Sequence, residues 1–427
     1  MAFGINNNIN MFQSSFLTKY GQKEYGYNFF VIVMVFLLAS EGFPSFRFLS
    51  RYNFLLLPFI WYVINRKGVV VPKQVSNVLF FISFFCTIHV VVGHLTVIGG
   101  ITLVLTIAIA LYASAMMRRT FLLVFIRVMQ FFAVTSLVIW LAVVLLPGVY
   151  SMFYNLASML PQMVSEEWLE TSSNEGVSLY LYYLPTKLTT AYTSFIRNNG
   201  PFYEPGLFAS YLNIALVFRL CINRRILAKE NIPLIFAILS TCSSAGYISF
   251  ILIVMFSVFM QEKIIYKIIT VLVIVCLWQP VMKLDFMVDK ITSNYDNALT
   301  YSASRFGAMI YHWEKVQLSP LIGYAGGATP TTNFDRLMGV TDKPLSPNGL
   351  TYLFVFWGIP LALYFYYLMY NGFRKLVGLR KKGVIISSYL VILSTAFSQI
   401  ITIGLFILTL AALSFTLLED NHENSSY

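Results

Sequence analysis

Residues 101–146 read ITLVLTIAIALYASAMMRRTFLLVFIRVMQFFAVTSLVIWLAVVLL, and within that run only Arg118, Arg119 and Arg127 carry charge. The paired arginines divide it into two apolar segments. At about 1.5 Å of rise per residue, the 17 residues of the first lie at the short end of what crosses a hydrocarbon layer of about 30 Å, and the 27 residues of the second exceed it. A backbone in lipid must satisfy its own N–H and C=O groups, so such segments are helices. The rest of the 427 residues extends the pattern. Apolar residues make up 58% and charged residues 11%, where a soluble chain carries about 25% charged residues. The composition excludes a soluble globular protein.

Successive apolar runs predict about twelve spans. They fall near 26–40, 52–64, 76–98, 99–116, 121–147, 204–222, 231–243, 246–260, 264–282, 349–370, 384–400 and 402–418. The fold class is therefore an all-α polytopic membrane protein, a single integral membrane domain over residues 1–427. The polar N-terminal stretch (Asn6, Asn7, Asn8, Gln13, Lys19, Lys23) and the lack of a small-residue site after the first apolar run predict no cleavable leader.

Orientation follows from the basic residues of short loops. With the N-terminus cytoplasmic, the inner side holds Lys19, Lys23, Arg66, Lys67, Lys73, Arg118, Arg119, Arg219, Arg224, Arg225, Lys229, Lys263, Lys267, Arg374, Lys375, Arg380, Lys381 and Lys382, which is 18 of 29. The outer side holds ten, and Arg127 lies inside a span. Both termini are then cytoplasmic. The net charge of +11 is mostly this topological signal and does not argue for nucleic acid. Cys86, Cys221, Cys242 and Cys276 sit in or beside apolar runs without metal-like spacing and read as small buried hydrophobes.

Two connections are long, 148–203 and 283–348, and both fall on the outer side. Long ordered loops in a compact protein usually carry function. The first starts with an apolar-aromatic stretch, Tyr150–Tyr154, suited to lie along the interface. It runs through Glu166, Glu167, Glu170 and Glu175, which read as a solvated face, and then through Tyr180, Tyr182, Tyr183 and Tyr192. These tyrosines fit both an interfacial belt and platforms on which sugar rings stack. The loop ends in Arg197-Asn-Asn-Gly-Pro-Phe-Tyr-Glu204-Pro-Gly206. An arginine and a carboxylate seven residues apart at the membrane surface are functional candidates, because charge near lipid is costly. The plainer alternative is an Arg197–Glu204 ion pair at a helix N-terminus, where a carboxylate complements the macrodipole.

The second loop carries Ser302-Ala-Ser304-Arg305, then Met309, His312, Trp313 and Glu314 at helical spacing, then Ser319-Pro320. This predicts a helix capped by Ser304 and ended by Pro320, with Arg305 in its first turn at the outer surface. Two guanidinium forks on one face suit a pyrophosphate. Asp285 and Asp289 are flanked by Lys283 and Lys290 and read as a salt-bridged turn rather than a metal site.

The run Arg197…Gly200-Pro-Phe-Tyr-Glu204-Pro-Gly-Leu-Phe-Ala209 resembles the start of a core span in the Wzy-type O-antigen and exopolysaccharide polymerases of the O-antigen polymerase/ligase superfamily. Leu239-Ser-Thr-Cys-Ser-Ser-Ala-Gly246 is similar to that family's Ser-rich turn, without the arginine often found there. Ser304-Arg305 through Ser319-Pro-Leu-Ile-Gly323 resembles its arginine helix, and Ser346-Pro-Asn-Gly-Leu350 through Gly358 its next span entry. The resemblance covers roughly residues 195–365. It implies a GT-C-like core with two periplasmic loops in the bacterial inner membrane. The implied reaction joins undecaprenyl-pyrophosphate-linked oligosaccharide repeat units on the periplasmic side, in lipopolysaccharide or related polysaccharide biosynthesis. It needs no cofactor and no metal, and a separate chain-length regulator is the expected partner. Arg197, Glu204 and Arg305 are the implied catalytic residues, with Asn199, Tyr203, Ser304, His312 and Asn348 on the substrate. Pro347 stands where the related ligases carry a histidine, which disfavours a ligase. A ligase-like glycosyltransferase and a lipid-linked oligosaccharide flippase or transporter are the alternatives.

Overall fold

The computed structural model describes residues 24–44, 53–146, 148–160, 176–185, 196–223, 225–260, 268, 272, 305–326, 348–378, 382–399 and 401–417. Helices account for about four-fifths of them. They are α1 (Glu24–Gly42), α2 (Leu56–Lys67), α3 (Lys73–Val91), α4 (Val97–Met117), α5 (Thr120–Leu145) and α6 (Val149–Met159), then α7 (Pro205–Asn223), α8 (Ile232–Ser240) and α9 (Ser244–Met260), and finally α10 (Arg305–Leu318), α11 (Gly349–Val377), α12 (Lys382–Ser398) and α13 (Leu405–Thr416). Five of these, α3, α4, α5, α7 and α11, are long and apolar enough to cross a membrane. Parts of α1, α9, α12 and α13 are shorter apolar stretches. The expected span at 264–282 lies outside the described residues apart from Ile268 and Leu272.

The paired arginines act as expected for a break between helices. Arg118 ends α4 at φ 44° and donates from its guanidinium to Val70 O at 3.0 Å. In α7 almost every side chain is buried, against α5, α8, α9 and α12. Small residues permit this. Gly246 of α9 comes so near that an added Cβ would lie 2.6 Å from Ala209 Cβ, and Asn213 Nδ2 donates to Gly246 O at 3.0 Å. In lipid, where apolar burial gives no drive, such close backbone approach and interhelical hydrogen bonding hold helices together. The short α13 packs between α4 and α11. Phe125 of α5 joins the two centres, with its ring 5.7 Å from Phe218 and 4.4 Å from Phe406.

Two features depart from the all-α expectation of simple outer loops. First, the 148–203 connection holds a hairpin, β1 (Gly176–Ser178) and β2 (Tyr183–Pro185), antiparallel with Val177 opposite Leu184. Tyr182 and Tyr183 are fully buried in it. They are neither an interfacial belt nor a stacking platform. Tyr182 packs with Val143, Leu184 and the underside of α6, whose Met152, Leu156 and Met159 face outward. Tyr192 and the four loop glutamates lie outside the described residues.

Second, α10 does not lie flat at the surface. His312 meets Thr351 at the start of α11, while Val316 and Tyr324 meet Val355 a turn further in. The segment after α10 then lodges in a break of α11. Gly358 there has φ 74° and ψ 171°, and Pro360 follows. Pro360 lacks the N–H that Phe356 O would accept, and Ile359 N turns away to Pro320 O at 2.7 Å. The two orphaned carbonyls are taken by the inserted loop: Tyr324 N reaches Val355 O at 2.9 Å and Ala325 N reaches Phe356 O at 2.8 Å. The break lies about 14 Å along α11 from Gly349. Non-helical backbone at such depth persists only when protein covers it.

Candidate functional site

Segment ends from α1, α7, α8, α11, α12 and α13 meet at one end of the bundle. Tyr203 N donates to Gly42 O at 3.0 Å, Asn198 N to Ser240 O at 3.0 Å, and Thr402 Oγ1 to Gly349 O at 2.7 Å. The candidate residues gather here.

Arg197 is held by clamps on both sides. Trp140 Nε1 of α5 donates to Ile196 O at 2.8 Å. Asn198 Nδ2 donates to Ser136 Oγ at 3.2 Å and Ser240 Oγ at 2.9 Å, while its Oδ1 accepts from Gly200 N at 3.0 Å. Between these, Arg197 Nε donates to Thr241 O at 3.0 Å. Its two terminal nitrogens have no hydrogen-bond partner among the described residues. Burial pushes the guanidinium pKa down, and the fields of Glu204, Cys242 and Tyr247 push it back up. A partly desolvated cation with an open fork is a site for an anion.

Glu204 is not the direct partner of Arg197. Its carbonyl accepts from Leu207 N and Phe208 N and so starts α7. Its carboxylate accepts from Gln399 Nε2 at 3.1 Å. The plain ion pair considered from the sequence is therefore absent, and the two charges act on each other at longer range. Asn199 is buried, and its Nδ2 makes a long 3.4 Å contact to Tyr203 O while its Oδ1 has no partner among the described residues. Tyr203 is partly buried against the apolar core.

The Ser-rich turn supplies structure to this cluster. Ser243 Oγ accepts from Gly246 N at the start of α9, and Thr241 gives its carbonyl to Arg197. Cys242 sits at φ 45°, an unfavourable conformation for a side chain and one that clusters at functional sites. Only partly buried, it departs from the simple core cysteine expected. Desolvation raises its thiol pKa despite the Tyr247 hydroxyl and Arg197, so it is not set up as a thiolate nucleophile.

The second loop brings His312 and Asn348 to the same end through the 399–404 connector. Asn348 Oδ1 accepts from Thr351 N at 3.1 Å and caps α11. His312 Nδ1 and Thr351 Oγ1 are 2.7 Å apart, and desolvation lowers the buried imidazole to about 4. Both residues shape the helix start. Arg305 begins α10, but its side chain and the whole of Ser304 lie outside the described residues, as do Cys276, Asp285 and Asp289. Lys315, one of the ten basic residues assigned to the outer side, is buried with its Nζ 4.9 Å from the Tyr311 ring centre. Gln399 was not among the expected site residues, and no local pattern marks it. Among the described residues no group of three metal-ligating side chains occurs.

An apolar cleft of about 370 Å³ lies between α3, α4, α11 and α13, lined by Phe81, Trp357, Leu361, Phe365, Leu408 and Phe415 among others. Phe81 and Tyr364 on its rim are exposed on the outside of the bundle. It shares no residue with the Arg197–Glu204 cluster. No family model matches the chain, and no curated protein or solved structure proves similar to it.

Proposed function

We propose that the chain is a polysaccharide polymerase that joins lipid-linked oligosaccharides. Donor and acceptor are both carried on undecaprenyl pyrophosphate, and the reaction takes place at the periplasmic face of the bacterial inner membrane. In this reading the fold is a GT-C-like core of about twelve spans, both termini are cytoplasmic, and the end of the bundle holding Arg197 faces the periplasm. A separate chain-length regulator is the partner. The observation that carries the reading is the open guanidinium fork of Arg197 beside a carboxylate held by another residue.

The chemistry follows from these groups. The acceptor hydroxyl loses its proton to Glu204 as its oxygen bonds to the anomeric carbon of the growing chain. The bond from that carbon to the pyrophosphate oxygen breaks, and the electron pair leaves with undecaprenyl pyrophosphate. Negative charge grows on the leaving group, where the Arg197 fork stabilises it. Arg305 is the second clamp of this reading, and Asn199 and Tyr203 contact the sugars. The lateral apolar cleft suits a polyprenyl chain. A flippase would need cations along a lumen inside its spans, whereas Arg197 lies at a bundle end.

Glu204→Gln is the test, because an amide still accepts a hydrogen bond but takes no proton. The variant is assayed with lipid-linked repeat units extracted from a strain deleted for this chain. Loss of polymer with intact folding is expected. Near-normal turnover sinks the general-base assignment.

A further inference from the structure

Gln399 sits just past α12, where the chain leaves helical geometry, and is almost fully buried. Its Nε2 lies 3.1 Å from Glu204 Oε1, across 195 residues of sequence. A carboxylate only accepts, so the amide nitrogen must face it. The place is built for this bond. Gly206, the second residue of α7, keeps the space clear, since a Cβ there would lie 2.8 Å from Gln399 Nε2 and 3.1 Å from Glu204 Oε1. The backbone also anchors the connector, with Ile401 N donating to Gln399 O at 2.9 Å and Thr402 Oγ1 to Gly349 O at 2.7 Å. The bond occupies one carboxylate oxygen and leaves Oε2 without a partner among the described residues.

We infer that Gln399 is a positioning residue for Glu204, orienting the carboxylate so that Oε2 faces the acceptor hydroxyl and receives its proton. The inference rests on the polymerase reading above. Gln399 therefore acts through Glu204 and touches no substrate itself.

The test is the pH dependence of kcat for purified full-length protein, with the same extracted repeat units as substrate. Gln399→Leu should lower kcat about tenfold and move the acid limb upward by about half a pH unit. KM should stay within about twofold. Gln399→Glu, close in shape, brings a like charge and should move the limb further upward, by about one unit or more. It also serves if Gln399→Leu folds poorly. An acid limb that stays in place in a folded variant overturns the positioning role. Glu204→Gln separates the two levels. If it abolishes turnover while the limb does not move, only Gln399's role falls. If it keeps turnover, the polymerase chemistry written for Glu204 falls, and this inference with it.

Discussion

Two stretches of irregular backbone differ in how much of their polar chemistry is used internally. At the break in α11, the inserted Pro320–Ala325 loop and the Val355–Ile359 segment answer one another bond for bond. The carbonyls of Val355 and Phe356, orphaned by the turn of Ile359 N and by Pro360, each find an N–H. Around Arg197 the backbone is equally well tied, yet the side chains are not. Among the described residues the guanidinium fork is open, Asn199 Oδ1 is unpaired, and one oxygen of Glu204 has no partner. A folded protein pairs its buried polar groups unless something else needs them. The backbone of the first region is therefore a joint, although Trp357 Nε1 there is buried without a partner among the described residues, and in the proposed polymerase the second region is where a ligand completes the set.

The largest effect should come from closing the joint. Gly323 has φ 65°, and a Cβ on it would lie 2.5 Å from Gly358 N and 2.6 Å from Val355 O. Gly323→Val combines that clash with a left-handed conformation a β-branched residue rejects. Little folded protein should survive detergent extraction, as read by size-exclusion chromatography. A monodisperse variant of normal yield would show that the joint tolerates separation.

Next comes the site. Arg197→Lys keeps the charge and loses the planar fork. Polymer formation should fall about a hundredfold, with the melting temperature unchanged. A parallel loss of stability would place Arg197 with the joint instead.

His312 gives a pH signature of the α10–α11 contact. Burial lowers its imidazole from 6.5 to about 4. Below 6.5 the unfolded chain takes up a proton that the folded imidazole refuses. Stability is thus full above 6.5, falls as pH drops towards about 4, and is level beneath that. At pH 5 the loss attributable to this residue is about 2 kcal/mol. His312→Gln should flatten the melting temperature between pH 7 and pH 5. An unchanged slope would assign the acid sensitivity to other groups.

The smallest expected effect is at Asn199. Replacing it with Ala removes an unpaired buried acceptor, which should not harm folding. If Oδ1 accepts from substrate, polymer yield falls about tenfold. Full activity would remove Asn199 from the site.

The amino-acid sequence on its own located the long apolar helices, several of them to within about three residues, although the run expected at 76–98 ends at Val91 and that at 349–370 continues to Val377. The expected spans 99–116, 121–147 and 204–222 appear as Val97–Met117, Thr120–Leu145 and Pro205–Asn223. Hydropathy is a local property, and lipid enforces it residue by residue. It also marked Arg197 and Glu204, since charge beside a long apolar run stands out without any knowledge of contacts. The helix ended by Pro320 was legible for the same reason, because proline's missing N–H acts on its own turn.

Only the tertiary structure decided what these groups touch. Glu204 and Gln399 are far apart in sequence, and a single glutamine at the end of an apolar run carries no periodic signal. The insertion of the Pro320–Ala325 loop into α11 was equally silent, because α10 is polar enough to read as a surface helix while its partner's unpaired carbonyls belong to another segment. The β1–β2 hairpin has strands too short for an alternation to register, and its tyrosines are buried by packing that no local pattern encodes. A hydrogen bond needs both partners in place, and which partners meet is settled by how the helices assemble.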